Sequence, residues 1–228
     1  VVLFTTKKGA KNQKAQITYD GYVGFQNASN VLELCNAKEY ATMMLEGDYN
    51  SYVTHFKKSI DNYGGSYADS DFHNWTYNTD NDWYDLMLRT ALITNHSISI
   101  NGGTEKAAYS LGGSYLYQDG IMDVDNNYKR LNFRAALDYN ATNWLKVGFN
   151  GVFSKSEQQV PNNAAWQKAF NCPPIVALYD ENNDKGFPDK YGSPDVLGYT
   201  SNFYNPIAFA KYFDSKNESY QALTNFYA

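Results

Sequence analysis

Two arms of alternating residues around a tight turn, within residues 82–122, constrain the fold of this chain more than any other feature. Before the turn Ile98 and Ile100 alternate with serines, and after it tyrosine and leucine alternate with serine and glycine up to Tyr117. Strict alternation predicts strands that have one apolar and one polar face. A strand that lies between lipid and a water-filled lumen needs this pattern over about 9–11 residues. The two arms therefore predict one hairpin of a transmembrane β-barrel.

The same alternation recurs along the chain, and connections of two contrasting lengths separate the segments that carry it. The predicted strands lie near residues 17–25, 89–101, 107–118, 129–140, 145–155 and 217–228. Long connections on one side and short turns on the other are typical of outer-membrane barrels, whose long loops face outward. We therefore predict an all-β fold, a transmembrane antiparallel β-barrel segment of about six strands. Its outer loops are long, and helical spacing predicts a short helix at 36–46 in one of them.

In the fourth and fifth predicted strands, the charged residues named below occupy alternate positions, which we call one parity of the strand. We expect the apolar parity to face lipid and the other to face the barrel lumen. The expected lipid-facing residues are Leu131, Phe133, Leu137, Leu145, Val147 and Phe149. The expected lumen-facing residues are Arg130, Arg134, Asp138, Lys146 and Asn150. Trp144 is expected in the periplasmic aromatic girdle and Tyr117 near the outer one.

Composition excludes some classes of function and leaves others open. The net charge is −5, and no basic stripe is visible that could bind phosphates, so nucleic acid is not an expected partner. The mean hydropathy of −0.58 is compatible with a barrel because such a protein distributes its apolar residues in alternation and carries polar loops. Cys35 and Cys172 form neither a metal pattern nor a disulfide framework, and whether they pair is left open.

Five segments, in order, resemble the SusC/RagA-type TonB-dependent outer-membrane transporters of the Bacteroidetes. The opening VVLFTTKKG resembles the last strand of that family's plug domain. The remaining segments are NAKEYATMM, DWYDLMLRTALITNHSISINGGTEKAAYSLGGSYLYQDGI, RLNFRAALDYNATNWLKVGFN and YNPIA. Phe4 stands where the family more often has isoleucine, a change that conserves volume.

The resemblance implies a division of the chain and a cellular role. Residues 1–9 would be the last plug strand, 10–16 a connection, and 17–228 the N-terminal part of the barrel. We therefore interpret the chain as a fragment of a large plugged barrel of about 22 strands. The implied function is import of glycan oligosaccharides or peptides across the bacterial outer membrane with a SusD-like surface lipoprotein. TonB would act through a region that is absent from this sequence.

Aromatic residues in the predicted loops are the candidate substrate contacts, since flat rings can stack on sugars or cover a peptide. Most are expected to pack the loops, and a minority to touch substrate. The candidates are Trp75, Trp83, Tyr84, Trp166, Tyr191 and Tyr204.

A weak cation site is a second candidate. Asp180, Asn182 and Asp184 offer oxygen ligands at alternate positions, as calcium prefers. Lys185 and Tyr191 stand where an EF-hand loop has glycine and glutamate, and a polar turn is the preferred interpretation. No cofactor is required, and Ca²⁺ is the one cofactor that the pattern allows.

Features of an enzyme are sparse. His55, His73 and His96 are scattered, Asp82 and Asp85 lack a partner at a glycosidase spacing, and no G-x-S-x-G motif occurs. The chain is therefore not expected to be an enzyme. Two alternatives to the transporter remain: a soluble or surface β-rich carbohydrate-binding module, and a barrel enzyme of the outer membrane.

Overall fold

The computed structural model describes residues 11–66, 75–183, 189–200 and 203–228. Its strands are β1 Gln16–Gln26, β2 Gly65–Ser66, β3 Thr76–Tyr77, β4 Ala91–Gly103, β5 Ala107–Asp119, β6 Asn127–Asn140, β7 Lys146–Gln159 and β8 Lys216–Tyr227. Its helices are α1 Ala37–Gly47, α2 Tyr49–Tyr63, α3 Trp83–Met87, α4 Ala164–Asn171 and α5 Pro206–Lys211, with a 3-10 helix at Pro194–Leu197. The proposed plug strand, residues 1–9, lies outside the described residues.

Six long strands form one antiparallel sheet in the order β1-β4-β5-β6-β7-β8. Each of them therefore pairs with the long strand that comes before or after it in the sequence. This confirms the predicted six-stranded antiparallel arrangement. The register places Ile98 opposite Gly113, Gly113 opposite Phe133, and Phe133 opposite Phe153. Because paired residues share a face, the apolar parities of neighbouring strands form one continuous surface.

This surface, the apolar face, remains uncovered. Most of its large side chains are exposed, and Phe133 for example keeps 52% of its surface accessible. It comprises Ile17, Tyr19, Val23, Phe25, Ile98, Ile100, Tyr109, Leu111, Tyr115, Leu131, Phe133, Leu137, Tyr139, Val147, Phe149, Phe153, Tyr220 and Phe226. An apolar face of this extent that no part of the described chain covers is typical of an interaction with lipid or with a protein partner.

The opposite surface, the polar face, carries mostly small and hydrophilic side chains, with Val152 and Leu223 among the apolar exceptions. Ser110 and Asp138 are buried on it, and hydrogen bonds cross it from strand to strand. Asn132 donates to Ser114 at 3.0 Å and accepts from Ser154 at 2.8 Å. Arg130, Arg134, Asp138 and Asn150 all lie on this face, as their register partners establish.

One departure from the predicted charge pattern occurs at the loop end of the sheet. Lys129, Lys155 and Glu157 lie on the apolar parity, where Lys129 pairs with Glu157 and the Lys155 ammonium lies 2.5 Å from the Glu157 carboxylate. Lys129 and Lys155 also lie over the rings of Tyr117 and Tyr220. The strands therefore extend past the apolar band, and charge returns to both parities once they do.

The connections are sorted by length, as the sequence predicted. Residues 104–106 and 141–145 make short turns at one end of the sheet, whereas 27–90, 120–126 and 160–215 connect strands at the other end. Trp144, in the second short turn, keeps 83% of its surface accessible. The second predicted strand, 89–101, is observed as β4, Ala91–Gly103. It begins two residues later than predicted, after Arg89, whose side chain is bound to the loop that follows β5.

Helices are more extensive than the single short helix that the sequence predicted. Asn36 caps α1 through a capping box with Glu39, and Asp48 ends α1 and caps α2. Gly64, with a φ of 92°, ends α2 in a conformation that favours glycine. The expected all-β character holds for the sheet, but α1 to α5 stand in the connections. None of the helices in the described ranges is both long and apolar enough to cross a membrane.

The connections at the loop end pack into one layer that has its own hydrophobic core. We call segments 27–66, 75–90, 120–126, 160–183, 189–200 and 203–215 the loop layer. Its core includes Tyr52, Phe56, Trp83, Ile175 and Leu197, all buried to at least 99%. The first and last connections are also tied by hydrogen bonds, such as Ser59 Oγ to the Ile175 carbonyl at 3.0 Å. The buried core of the described chain therefore lies mainly in its loops.

Replacing Phe56 with alanine should destabilise the loop layer by about 3–5 kcal/mol, the usual cost of removing a buried phenylalanine. Phe56 is fully buried, with ring centroids 4.7 Å from Tyr52 and 4.9 Å from Tyr77. Native-state proteolysis of the protein measures the change. Phe170→Ala, at an exposed position, is the matched control. Equal protease resistance in the two variants would contradict the assigned core.

The two cysteines should differ in their reaction with an alkylating reagent. Cys35 is exposed, whereas burial of Cys172 raises the pKa of its thiol and so lowers the fraction of reactive thiolate. At mildly alkaline pH, iodoacetamide should modify Cys35 in the folded protein and Cys172 only after denaturation, as read by peptide mass spectrometry. Cys35→Ser should remove the rapid reaction. Equal native rates at the two positions would show that Cys172 is accessible.

Candidate functional site

The candidate site lies where the polar face of the sheet meets the loop layer. There a cavity of about 520 Å³ is lined by the loop-end residues of four strands and by helix α4. Gln118, Tyr128 and Gln158 are register partners on successive strands, so they form a row with about 4.8 Å between neighbouring strands. The indole of Trp166 also lines the cavity. We call this cavity the mouth site.

Neighbouring groups fix the amides of the mouth site. Gln26 Nε2 donates to the Asp119 carbonyl at 2.6 Å, and Gln118 Nε2 donates to Gln26 Oε1 at 3.2 Å. The amide of Gln26, at the end of β1, is thereby held against β5. Both glutamines belong to the polar parity of their strands, which is why they point to the same side of the sheet.

Arg89 organises the loop side of the mouth site. Its guanidinium donates to the Gly120 carbonyl and to Asn126 Oδ1, each at 3.1 Å, and it faces the carboxylates of Asp119 and Asp123 at 4.0 and 3.6 Å. A Cβ added at Gly120 would lie 2.4 Å from the Asn126 amide, so glycine is required for this close approach. Arg89 therefore sets the position of Asn126.

Asn126 is a polar residue of which only 5% is exposed, and it lines the mouth site. Its Oδ1 accepts from the Arg89 guanidinium at 3.1 Å. This bond sets the orientation of the Asn126 amide beside the cavity.

The lining of the mouth site includes one charged residue. The Asp119 carboxylate accepts from the Tyr117 hydroxyl at 2.5 Å and lies 4.0 Å from the Arg89 guanidinium. The lining is otherwise amide, aromatic and aliphatic. Its amides and hydroxyl can donate hydrogen bonds to a polar ligand and accept them from it.

Deeper on the polar face, charge is concentrated on β6. No carboxylate of the described chain lies within ion-pair distance of Arg130 or Arg134, and Arg134 lies across Gly112, where an added Cβ would come within 2.7 Å of its Nε. A hollow of about 360 Å³, lined by Asp20, Arg134 and several serines, occupies this part of the sheet.

A third group lies near the short turns. Asp138 accepts a hydrogen bond from the Tyr227 hydroxyl and faces the Lys146 ammonium at 3.8 Å. Lys146 also lies 5.8 Å from the centroid of the Tyr227 ring. These contacts join β6, β7 and β8 on the polar face, where the sequence predicted both Asp138 and Lys146.

The six candidate aromatic residues separate into three locations. Trp75 and Trp83 belong to the core of the loop layer, where Trp83 is 1% exposed and its Nε1 donates to the Pro173 carbonyl at 3.1 Å. Tyr84 and Trp166 lie with ring centroids 6.0 Å apart, and Trp166 lines the mouth site. Their contact with substrate stays a prediction.

Tyr191 and Tyr204 lie together in a second cavity, of about 610 Å³, between α5 and the segment before it. Tyr191 is buried and stacks on Tyr179 at 5.1 Å, whereas Tyr204 is 45% exposed beneath the Lys168 ammonium, 4.6 Å from the ring centroid. Burial raises the pKa of the Tyr191 hydroxyl. This cavity is rich in aromatic rings and lies wholly within the last long connection.

The predicted cation site is described only in part, because Asp184 lies outside the described residues. Asp180 is buried, and its Oδ1 accepts from the Asn182 backbone at 2.9 Å, as in an Asx turn. Burial, and then the adjacent Asp180 carboxylate, raise the pKa of Tyr63. Within the described ranges no three His, Cys, Asp or Glu residues converge as metal ligands. A calcium site stays a prediction.

The remaining candidates have structural partners. His55 Nδ1 lies 2.7 Å from the Leu197 carbonyl, and His96 lies 2.6 Å from the Tyr19 hydroxyl. Asp82 caps α3 by accepting from the backbone of Tyr84 and Asp85. His73 lies outside the described residues.

Three TonB-dependent receptors are similar in sequence to nearly the whole chain. TonB-dependent receptor P3 of Formosa agariphila is 26% identical over 231 residues, which cover 100% of this chain and 20% of that protein. Receptor P26 of the same organism is 28% identical over 91% of this chain, and the receptor SusC of Bacteroides thetaiotaomicron is 26% identical over 90%. The chain is homologous to a segment of TonB-dependent receptors. It spans about a fifth of the length of these relatives, which are receptors and not enzymes. No family model matches the chain.

Solved structures agree on the fold. The RagAB peptide importer matches with a TM-score of 0.59 in its closed-closed state and 0.60 in its open-open state, each at 21% identity. Each match covers 78% of this chain and 22% of the other. The sheet and its connections therefore share their fold with a segment of this importer.

Sequence reasoning missed the mouth site. Of its glutamines, only Gln118 falls inside a predicted strand, 107–118, whereas Gln26 and Gln158 lie beyond the strands predicted at 17–25 and 145–155. A signal was present, because Gln118, Tyr128 and Gln158 are polar-parity residues at the loop ends of three strands that are consecutive in the sequence. Finding the site required the register between strands, which alternation alone does not give.

Proposed function

We propose that the chain forms part of the wall and outer loops of a TonB-dependent importer in the bacterial outer membrane. The observation that carries the proposal is the two-faced sheet, in which one continuous apolar face stays uncovered while the polar face bears arginine, serine and asparagine. In this interpretation the apolar face contacts lipid and the polar face lines the lumen.

The size of the apolar band supports the proposal. From Leu131 to Tyr139 the strand rises about 27 Å, and the apolar band of an outer-membrane barrel is about 25 Å tall with tilted strands. Lysine, glutamate and tyrosine bound this band at the loop end, and Trp144 stands at the turn end. Such residues suit the two interfaces of a membrane.

We further propose that the loop layer faces outward and receives substrate with a SusD-like surface lipoprotein, while TonB acts through another region of the whole receptor. RagAB is a peptide importer and SusC a TonB-dependent receptor, and the homology to this chain supports a related cycle. The imported substrate is then an oligosaccharide or a peptide. The plug, to which residues 1–9 are assigned, would move during transport while the wall remains fixed.

Opposite faces of the wall should respond differently to a new charge. Leu137→Arg places a guanidinium on the apolar face and should cost about 2–4 kcal/mol near the middle of the membrane. Asn150→Arg, on the polar face of the adjacent strand, should fold normally because water or the plug lies there. Urea unfolding of the receptor in lipid vesicles measures both. Equal stability of the two variants, or full solubility of the receptor without detergent, would contradict the lipid assignment and favour a carbohydrate-binding module.

Uptake should depend on energy and on the loop layer. Cells that express the receptor should accumulate a fluorescent oligosaccharide or peptide cargo only when TonB is functional, and a strain without TonB is the control. Truncating the exposed part of the loop layer around Tyr204 should lower capture and leave the amount of receptor in the membrane unchanged. Accumulation that is independent of TonB would overturn the importer proposal.

A further inference from the structure

We propose that charged side chains at the loop end of the wall bind the phosphate of a glycolipid headgroup in the outer leaflet of the outer membrane. These side chains lie on the apolar parity, at the edge of the apolar band, and we call them the charged belt. The inference rests on the proposed function, because it takes the loop end of the sheet to be the outer end. It goes beyond that function, since this parity lies on the opposite face of the sheet from the lumen. The charged belt comprises Tyr117, Lys129, Lys155, Glu157, Lys216, Glu218 and Tyr220.

The charged belt occurs at one end of the sheet only. From β5 to β8 the charged residues of the apolar parity all lie at the loop end. The turn end of the same parity carries Tyr109, Leu137, Tyr139, Val147 and Phe226. If the apolar face contacts lipid, the belt lies level with the headgroups of the outer leaflet. That leaflet of the bacterial outer membrane is rich in phosphorylated glycolipids, so its negative charge complements the lysines of the belt.

Lysines neutralise both carboxylates of the charged belt. Glu157 and Glu218 are register partners, so their negative charges repel each other. The Lys216 ammonium lies 3.5 Å from the Glu157 carboxylate and 2.7 Å from that of Glu218. The Lys155 ammonium also lies 2.5 Å from Glu157. With three lysines against two glutamates, the belt holds one positive charge in excess.

The excess charge is that of Lys129. Its register partner Glu157 already contacts two other lysines, and among the described residues no carboxylate lies within ion-pair distance of the Lys129 ammonium. This ammonium lies 5.8 Å from the centroid of the Tyr117 ring. The nearby Asp119 carboxylate accepts from the Tyr117 hydroxyl and faces the Arg89 guanidinium at 4.0 Å. An anion that approaches from the lipid side therefore meets an ammonium that no carboxylate of the described chain has neutralised.

Lys129 and Lys155 form the two sides of the proposed phosphate site. Because Lys129 pairs with Glu157, and Lys155 lies two residues from Glu157, the two lysines are diagonal neighbours with Cα atoms about 7–8 Å apart. Lys155 lies over the Tyr220 ring, 5.5 Å from its centroid, as Lys129 lies over that of Tyr117. One phosphate has several acceptor oxygens and can accept from both ammoniums. The tyrosine rings and the adjoining apolar face suit the acyl chains of the same lipid.

Acetylation of lysines in the whole receptor, purified in a neutral detergent, tests the inference. Monophosphoryl lipid A, added as mixed micelles, should protect Lys129 and Lys155 from acetic anhydride, as read by peptide mass spectrometry. Lys146, whose side chain is 51% exposed at the turn end of the polar face, should stay reactive and is the internal control. Phosphatidylcholine and inorganic phosphate should protect neither belt lysine, because the first has no net charge and the second has no acyl chains.

Charge variants measure the contribution of Lys129. Lys129→Gln should raise the lipid concentration that half-protects Lys155 about fivefold, the usual contribution of one lysine near an anionic membrane surface. Lys129→Arg keeps the charge and should retain the affinity, which separates a loss of charge from a change of fold. Lys38→Gln, at an exposed position of α1 in the loop layer, is the matched control and should have no effect.

Four results would overturn the inference. Equal protection by phosphatidylcholine would show lipid contact without recognition of phosphate, and equal protection by inorganic phosphate would show an anion site that needs no lipid. The other two are no protection by lipid A, and protection of Lys155 that Lys129→Gln leaves unchanged. TonB-dependent uptake by the same variants reports separately on the importer proposal, which stands if uptake persists and is removed if uptake does not depend on TonB.

Discussion

The cross-strand register is the constraint on which the rest of the structure depends. Because side chains alternate along a strand, a slip of one residue between two strands would move every side chain of one strand to the other face. The β4–β5 turn fixes the register at the start of the sheet, since Thr104 N donates to the Ala107 carbonyl at 2.7 Å and Ala107 N donates to Thr104 Oγ1 at 3.1 Å. Each later pairing preserves the apolar face that this turn begins.

The loop layer, unlike the sheet, is stabilised by a buried core of its own. A sheet that exposes its apolar face and keeps its other face polar contributes little buried core, so the long connections need a core of their own to be ordered. They obtain it by packing the first connection on the last, with Asn81 and Ser59 bonded to the carbonyls of Val176 and Ile175. Arg89 then joins this layer to the sheet through the loop between β5 and β6.

The sheet could be predicted from the sequence, and the loop layer largely could not. Period-two alternation is local, so residues such as Leu137 and Arg134 reveal their opposite faces without knowledge of any partner. Helical spacing predicts the helix at 36–46, which the structure places at Ala37–Gly47 with Asn36 as its cap. The packing of Phe56 against Tyr77 is also a contact made within the first connection, but it depends on α2, which the predicted polar loop did not contain.

The candidate site could be predicted from the sequence even less well than the loop layer. Trp83 and Trp166 are equivalent in sequence terms, as tryptophans in long connections, yet one is 1% exposed in the core and the other lines the mouth site. What separates them is the partner of each helix, which is a property of the tertiary structure.

The position of the mouth site follows from the end of the apolar band. Within the band one face of each strand is apolar, so only the polar face carries hydrophilic side chains there. Above it Lys129 and Glu157 stand on the apolar parity, which shows that the strands have left the band and that both parities can then bear polar groups. The row of Gln118, Tyr128 and Gln158 lies at this transition, beside Arg89 and Asn126. A rigid sheet thus supplies one side of the site and the loop layer the other. This is the arrangement in which a change in the loops can alter what is bound without disturbing the wall.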